Sequence, residues 1–169
     1  MSLLDINNLA NYRNTTEKKI GVTFSCFDLM HSGHILMLKD SKNVCDILVV
    51  GLQTDPTVDR PHKNKPVLNY EERLIITQSI KYIDYIVKYT HESELLTILD
   101  NLNPDIRIIG TDYVGKNFTG KDKDIKIYYH NRDVHTYSTT SLRKRVYNAV
   151  LENIEKNKSI ASRNSYNFS

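Results

Sequence analysis

Short apolar runs alternate with longer segments of helical periodicity along most of the chain. Residues 46–51 form a near-continuous apolar run, which is typical of a strand buried on both faces of a parallel sheet. Four other runs have the length and the β-branched or aromatic content of strands. The five predicted strands span residues 20–24, 46–51, 85–87, 106–110 and 125–129.

Four segments between and after these runs are predicted to be helical. Leucine and isoleucine recur at helical spacing over residues 92–102, and a proline follows where that helix should end. Asn69 with Glu72 three residues later indicates a capped helix start, and Ser138 is expected to cap the last helix. The predicted helices span residues 33–43, 69–82, 92–102 and 138 to about 154.

The order of these elements is strand and helix three times, followed by two strands and a helix. This order predicts one α/β domain with an open, mainly parallel, doubly wound sheet and helices on both faces. Because ligands of such sheets bind beyond the carboxyl ends of the strands, we expect the polar turns at those ends to converge. These turns span residues 25–34, 53–68, 110–120 and 130–138.

The composition narrows the class of protein. The chain has 169 residues, enough for one α/β domain, and a formal net charge of +3 at pH 7. Because its lysines are scattered rather than gathered in a basic stripe, nucleic acid is not expected as a partner. The apolar runs are too short to span a membrane and the start of the sequence lacks a signal-peptide pattern, so a cytoplasmic location without a membrane partner is expected.

Two cysteines are too few for a disulfide framework, and neither has Cys or His partners at ligand spacing. No metal site is therefore predicted, and Cys45 is expected in the core. Cys26 stands in the turn after the first strand, where small residues let the backbone touch a phosphate. A catalytic thiol is the alternative interpretation of Cys26.

The segment His31-Ser32-Gly33-His34 lies directly between the first strand-like run and the first predicted helix. Two histidines three residues apart at a helix start lie on one face. The same helix end supplies backbone N–H groups and a partial positive charge, and Gly33 permits close approach of the backbone. This arrangement predicts a site for a phosphate. Four histidines outside such a pattern are expected at the surface: His62, His91, His130 and His135.

Residues 25–34 strongly resemble the G-x-F-D-x-x-H-x-G-H signature of the cytidylyltransferase branch of the HxGH nucleotidylyltransferases. The resemblance extends over roughly residues 20–145 and implies a Rossmann-like domain over residues 18–157. The segments 1–17 and 158–169 are expected to be peripheral or flexible. Members of this family are commonly homodimers, so a homodimer is expected.

The family's reaction is in-line attack of a phosphate monoester oxygen on the α-phosphorus of a nucleoside triphosphate, with Mg²⁺ on the phosphates. The resemblance implies that His31 and His34 donate to the α-phosphoryl oxygens and that Lys63 restrains a phosphate. These three are the predicted catalytic residues, and Mg²⁺ is the implied cofactor. The implied nucleotide-binding residues are Ser25, Cys26, Phe27, Asp28, His31, Gly33, His34, Asp112, Arg132, Ser138, Thr139 and Thr140.

The basic loop at residues 63–67 and the helix start at residues 70–73 resemble those of glycerol-3-phosphate cytidylyltransferases. The resemblance implies that lysines of this loop reach the acceptor's phosphate or the nucleotide. A solvated loop is the alternative for the lysines, and a structural ion pair is the alternative for Arg73. The implied acceptor-binding residues are Asp28, Lys63, Lys65, Arg73 and Lys81.

Three departures from the family pattern leave the substrates open. Arg132 stands one residue farther from Ser138 than the pattern requires, Cys26 resembles the heptose-phosphate and ethanolamine-phosphate branches, and Lys81 replaces an arginine. The first interpretation is transfer of CMP from CTP to a small phosphorylated alcohol such as glycerol 3-phosphate. The alternatives are an adenylyltransferase acting on a sugar phosphate of the heptose 1-phosphate type or on FMN, and a nucleotide-binding module without catalysis.

Overall fold

Six parallel strands form one open sheet in the computed structural model, which describes residues 2–165. The strands are β1 Ser2–Leu4, β2 Ile20–Ser25, β3 Ile47–Gln53, β4 Tyr85–Tyr89, β5 Ile106–Gly110 and β6 Lys126–His130. They lie in the order β1-β4-β3-β2-β5-β6. The helices are α1 Leu9–Arg13, α2 Ser32–Lys42, α3 Tyr70–Gln78, α4 Glu92–Leu102 and α5 Thr139–Ser165. The predicted Rossmann-like fold class is confirmed.

Helices cover both faces of the sheet, because alternate residues of its central strands enter two different apolar clusters. On β3, Val49 packs with Leu9 of α1 and Leu99 of α4. Its neighbour Val50 packs on the opposite face with Leu38 of α2. All seven residues of β3 are buried, as its near-continuous apolar run predicts.

The amino-terminal segment belongs to the sheet and the core, which corrects the prediction that residues 1–17 are peripheral. Strand β1 pairs in parallel with β4, and Leu9 of α1 is fully buried. A strand of three residues and a helix of five are too short to show a period in the sequence.

Three aspartates fix the register of the strands at the amino edge of the sheet. Each stands directly before a strand, and each carboxylate accepts a hydrogen bond from a backbone N–H within one residue of the start of a neighbouring strand. The donors are Lys19 N to Asp46 at 2.9 Å, Leu48 N to Asp84 at 2.7 Å and Ile20 N to Asp105 at 2.7 Å. Hydrogen bonds to a carboxylate are stronger than those between neutral groups. These three hydrogen bonds therefore keep the starts of neighbouring strands aligned.

The chain divides into two compact units at Thr136 and Tyr137, and the second unit consists mainly of α5. Ser138 caps this helix as predicted, because its Oγ accepts from Ser141 N at 3.1 Å and its carbonyl accepts from Leu142 N. The helix continues to Ser165, beyond the predicted end near residue 154, since its polar last turns have no apolar period to read. Of the segment 158–169, predicted to be peripheral or flexible, residues 166–169 lie outside the described part.

Candidate functional site

The turn after β2 is held in a tight conformation around a buried carboxylate. Phe27 and Leu29 both have a left-handed backbone with φ of 47°, a conformation that costs energy in residues other than glycine. Between them Asp28 is 4% exposed, and its Oδ1 accepts from the backbone N–H groups of Val67 and Leu68, each at 3.0 Å. Asp28 therefore joins this turn to the end of the loop that follows β3.

His31 is the N-cap of α2, and its side chain closes the first turn of the helix. Its Nδ1 accepts from Gly33 N at 3.1 Å, while His34 Nδ1 accepts from His31 N at 3.4 Å. The two imidazole rings stack with centroids 4.0 Å apart and an interplanar angle of 26°. This is a capping box in which histidines take the places of the usual Ser or Thr and Glu.

The hydrogen bonds at Nδ1 fix the tautomer of both histidines. A neutral imidazole that accepts at Nδ1 carries its proton at Nε2. Burial lowers the pKa of His34 to about 3, with smaller electrostatic contributions from the neighbouring His31 and Arg132, so His34 is neutral at pH 7. His31 and His34 consequently present Nε2–H donors on adjacent, nearly parallel rings.

The low pKa of His34 makes the stability of the fold depend on pH. Between pH 6.5 and pH 3 the unfolded chain binds a proton that folded His34 excludes, so the free energy of unfolding falls as the pH drops. We expect a loss of about 2 kcal/mol between pH 7 and pH 5 from this residue. Urea unfolding at both pH values measures it, and His34→Gln should remove this part of the pH dependence. An equal pH dependence in both proteins would contradict the assignment.

The ring of Phe27 supports this pair from the core. Phe27 is 1% exposed and packs edge-on against His34 with centroids 5.3 Å apart. Its backbone N–H donates to Ser25 Oγ at 3.2 Å. Its predicted contact with the nucleotide therefore involves the backbone of the turn, because the side chain faces the protein interior.

Arg73 is buried to 1% exposure and donates only to backbone carbonyls in its recorded hydrogen bonds. Its guanidinium binds the carbonyl of Cys26 in the turn after β2, and those of Gln53, Thr54 and Leu68 at the two ends of the loop after β3. Arg73 therefore has a structural place, but it binds backbone carbonyls rather than forming the ion pair given as the alternative. It positions two loops of the site.

Lys63 and Lys65 are exposed in the middle of the loop after β3. On one side of them, Arg60 Nη2 pairs with Glu92 Oε1 at 2.8 Å and ties the loop to the start of α4. On the other side, Asp28 holds the loop at residues 67–68. The two lysines thus lie on an exposed segment between two fixed points.

Asp112 and Arg132 meet beyond the carboxyl ends of β5 and β6. Their side chains form an ion pair at 3.2 Å, both almost half exposed, and Arg132 N donates to Thr111 Oγ1 at 3.2 Å. Gly110 makes this approach possible, since a Cβ there would clash with both Asp112 and Arg132. The Asp112–Arg132 ion pair and the paired histidines therefore lie at the same carboxyl edge of the sheet in the first unit, as the sheet topology predicts.

Two further groups of predicted residues belong to the second unit and to the amino edge of the sheet. Ser138, Thr139 and Thr140 open α5 and belong to the second unit. Lys81 is exposed before β4 and lines a cleft with Asp46 and Asp84, at the amino edge of the sheet. The structure thus does not bring Lys81 to the carboxyl edge, because the connection before a parallel strand runs at the other end of the sheet.

Three interacting residues near the site were missed by the sequence analysis. His130 was expected at the surface but is 5% exposed, whereas His62 and His91 are exposed as predicted. His130 Nδ1 lies 2.8 Å from Asp40 Oδ2, and Tyr128 donates to the same oxygen at 2.9 Å. The alternation of Tyr128 and His130 on a strand was the available signal, because residues two apart face one side.

Comparison with known proteins agrees with this fold and this turn. The model of the cytidylyltransferase-like family matches residues 22–162. Bifunctional protein HldE of Campylobacter concisus is 31% identical over 136 residues, which are 79% of this chain and 28% of that protein. The same protein of Helicobacter pylori strain HPAG1 is 36% identical over 107 residues, 63% of this chain and 23% of the relative. The chain therefore spans about a quarter of the length of these curated relatives.

Solved structures share the fold at lower identity. The crystal structure of the lipopolysaccharide core biosynthesis protein from Thermoplasma volcanium has 24% identity and a TM-score of 0.54, covering 72% of this chain and 99% of that one. Pantoate-β-alanine ligase from Francisella tularensis has 16% identity and a TM-score of 0.58, covering 82% of this chain and 68% of that one. Since the family model spans most of the sequence and includes the paired histidines, the chain belongs to the cytidylyltransferase-like family of the HxGH nucleotidyltransferase superfamily.

Proposed function

We propose that the chain transfers a nucleoside monophosphate from ATP to the phosphate of a small sugar phosphate of the heptose 1-phosphate type. The observation that supports this type of reaction is the pair of Nε2–H donors of His31 and His34. The HldE relatives support the sugar-phosphate acceptor over glycerol 3-phosphate, which was the first interpretation. The resemblance of Arg73 and its helix start to glycerol-phosphate enzymes does not distinguish the acceptors, because this side chain binds backbone carbonyls.

The site supplies positioning and hydrogen-bond donors rather than a base. An oxygen of the acceptor's phosphate forms a bond to the α-phosphorus, the bond from that phosphorus to the bridging oxygen breaks, and pyrophosphate leaves. The acceptor phosphate is already an anion at neutral pH. The imidazole donors of His31 and His34, with the positive end of α2, stabilise the charge on the α-phosphoryl oxygens as the transition state forms.

Lys63 and Lys65 supply mobile positive charge for the outer phosphates. Their exposed segment is held at Arg60 on one side and at residues 67–68 on the other, so it can fold toward a ligand without disturbing the sheet. A lysine ammonium on a flexible stem suits a phosphate whose position changes as pyrophosphate leaves.

Mg²⁺ is proposed to enter with the nucleotide. Among residues 2–165, no group of three or more His, Cys, Asp or Glu side chains is arranged around a common metal position. Mg²⁺ commonly keeps several waters and binds through substrate phosphates with few protein ligands. When bound it would neutralise charge on the phosphates of the leaving pyrophosphate.

Pyrophosphate release tests the proposal. ATP and CTP, each with Mg²⁺, are crossed against heptose 1-phosphate, glycerol 3-phosphate, phosphoethanolamine, phosphocholine and FMN, with His31→Asn as the control of reduced activity. Release confined to ATP and the heptose phosphate is the expected result. Release with CTP and glycerol 3-phosphate alone would restore the first interpretation, and nucleotide binding without release from any pair would favour the non-catalytic module.

A further inference from the structure

A partly buried hydrogen-bonded cluster joins the helix of the paired histidines to the last strand of the sheet. Asp40 Oδ2 of α2 accepts a hydrogen bond from Tyr128 Oη at 2.9 Å and lies 2.8 Å from His130 Nδ1. The side chain of His130 is 6% exposed and that of Asp40 is 30% exposed. Neither side chain belongs to the family signature quoted above, and both come from elements that line the site.

The cluster connects two sides of the proposed nucleotide site, namely helix α2 and the segment after β6. Asp40 lies six residues after His34 on the same helix, about 9 Å along its axis. His130 pairs with Gly110 in the sheet and stands two residues before Arg132. The bond between Asp40 and His130 is therefore a short mechanical link between the helix that carries His34 and the segment that carries Arg132.

We propose that Asp40, His130 and Tyr128 are positioning residues that hold Arg132 at the correct distance from His31 and His34 for a nucleotide to bind. This inference rests on the proposed function, because it assigns the same site. Arg132 is otherwise held only at the loop after β5, through Thr111 and Asp112, in the recorded contacts of the described residues. The pair with Asp112 is almost half exposed, and exposed ion pairs contribute little rigidity.

The other ring nitrogen of His130 provides a discriminating test. Nε2 is buried and has no hydrogen-bond partner among residues 2–165. Asparagine can place an amide N–H near the position of Nδ1 but has no atom at Nε2. His130→Asn therefore keeps the link to Asp40 and removes Nε2, whereas His130→Phe keeps the ring volume and removes the link.

Isothermal titration calorimetry of the full chain with ATP or CTP, in the presence of Mg²⁺ and without an acceptor, measures the effect. We expect His130→Phe and Asp40→Ala to raise the nucleotide Kd at least tenfold, and His130→Asn to stay within threefold of the wild type. If His130 acts through Arg132, the double variant His130→Phe/Arg132→Met should bind no more than threefold more weakly than Arg132→Met alone.

Arg13→Met is the matched control. Arg13 pairs with Asp105 at 3.2 Å and links α1 to the start of β5 at the opposite edge of the sheet. Its loss should leave the nucleotide Kd unchanged. Asp40→Ala decides the question if His130→Phe does not fold, because Asp40 is partly exposed and leaves no large cavity.

Three results obtained with the variants would overturn the inference. An unchanged Kd in Asp40→Ala would show that the link is not needed, and equal losses in His130→Asn and His130→Phe would show that keeping the link to Asp40 does not preserve nucleotide binding. If the losses of affinity in the two single variants multiply in the double variant, His130 does not act through Arg132. Nucleotide binding without transfer to any acceptor would instead overturn the proposed reaction alone, and a wild-type chain that binds neither ATP nor CTP would overturn both.

Discussion

Replacing His31 with asparagine is expected to lower kcat about a hundredfold while the start of α2 stays intact. Asparagine is among the best N-cap residues, so its side chain can accept from the backbone as His31 Nδ1 does at Gly33. It has no group at the position of Nε2, where the donor to the α-phosphoryl oxygen is proposed. Loss of one such donor costs about 3 kcal/mol of transition-state stabilisation. Steady-state pyrophosphate release, with the unfolding midpoint measured in parallel, tests the prediction.

Two companion variants separate the donor from the cap. His31→Gln can place an amide N–H near Nε2 and should recover part of the activity. Lys39→Met, at an exposed position of the same helix, should leave the rate unchanged. Full activity in His31→Asn would show that His31 acts only as a helix cap, and the site would then need another donor.

Replacing Arg73 with methionine is expected to lower the free energy of unfolding by about 4 kcal/mol. Methionine keeps most of the apolar stem but leaves the carbonyls of Cys26, Gln53, Thr54 and Leu68 without their donor. Because these carbonyls lie in the two loops of the site, activity should fall together with stability. Urea unfolding measures the change, and its denaturant slope shows whether the loops alone have loosened.

Arg73→Lys is the informative companion to this variant. A lysine ammonium keeps the charge but cannot reproduce a planar fork that serves several carbonyls, so most of the stability should still be lost. Arg13→Met, which breaks a partly exposed ion pair, should cost less than about 1 kcal/mol. A loss of that small size in Arg73→Met would contradict the anchoring role.

The fold was predictable from the sequence because five of its six strands and its longer helices have clear periods. The run at residues 46–51 supplies most of β3, whose seven residues Ile47–Gln53 are all buried, and the leucines of residues 92–102 pack against the sheet as α4. The segment with β1 and α1 could not be read in the same way. It is short, and its burial depends on pairing with β4, which is distant in sequence.

The placement of His31 and His34 side by side at the helix start was also predictable, because their spacing is local. The roles of Arg73 and His130 were not, since each depends on partners far along the chain. Arg73 meets Cys26 from 47 positions away, and His130 meets Asp40 from 90 positions away. From the sequence alone, a basic residue near a helix start suggests a contact with a ligand. Only the fold shows that the guanidinium of Arg73 binds backbone carbonyls.

The three aspartates before β3, β4 and β5 have a consequence for how such enzymes diversify. They fix the strand starts at the amino edge, so strand alignment does not depend on the loops at the carboxyl edge. Insertions or substitutions among residues 61–66 can then accumulate over generations without shifting the frame that carries the paired histidines. Under the proposed function, residues that contact the acceptor can then vary while the strand alignment beneath the paired histidines stays the same.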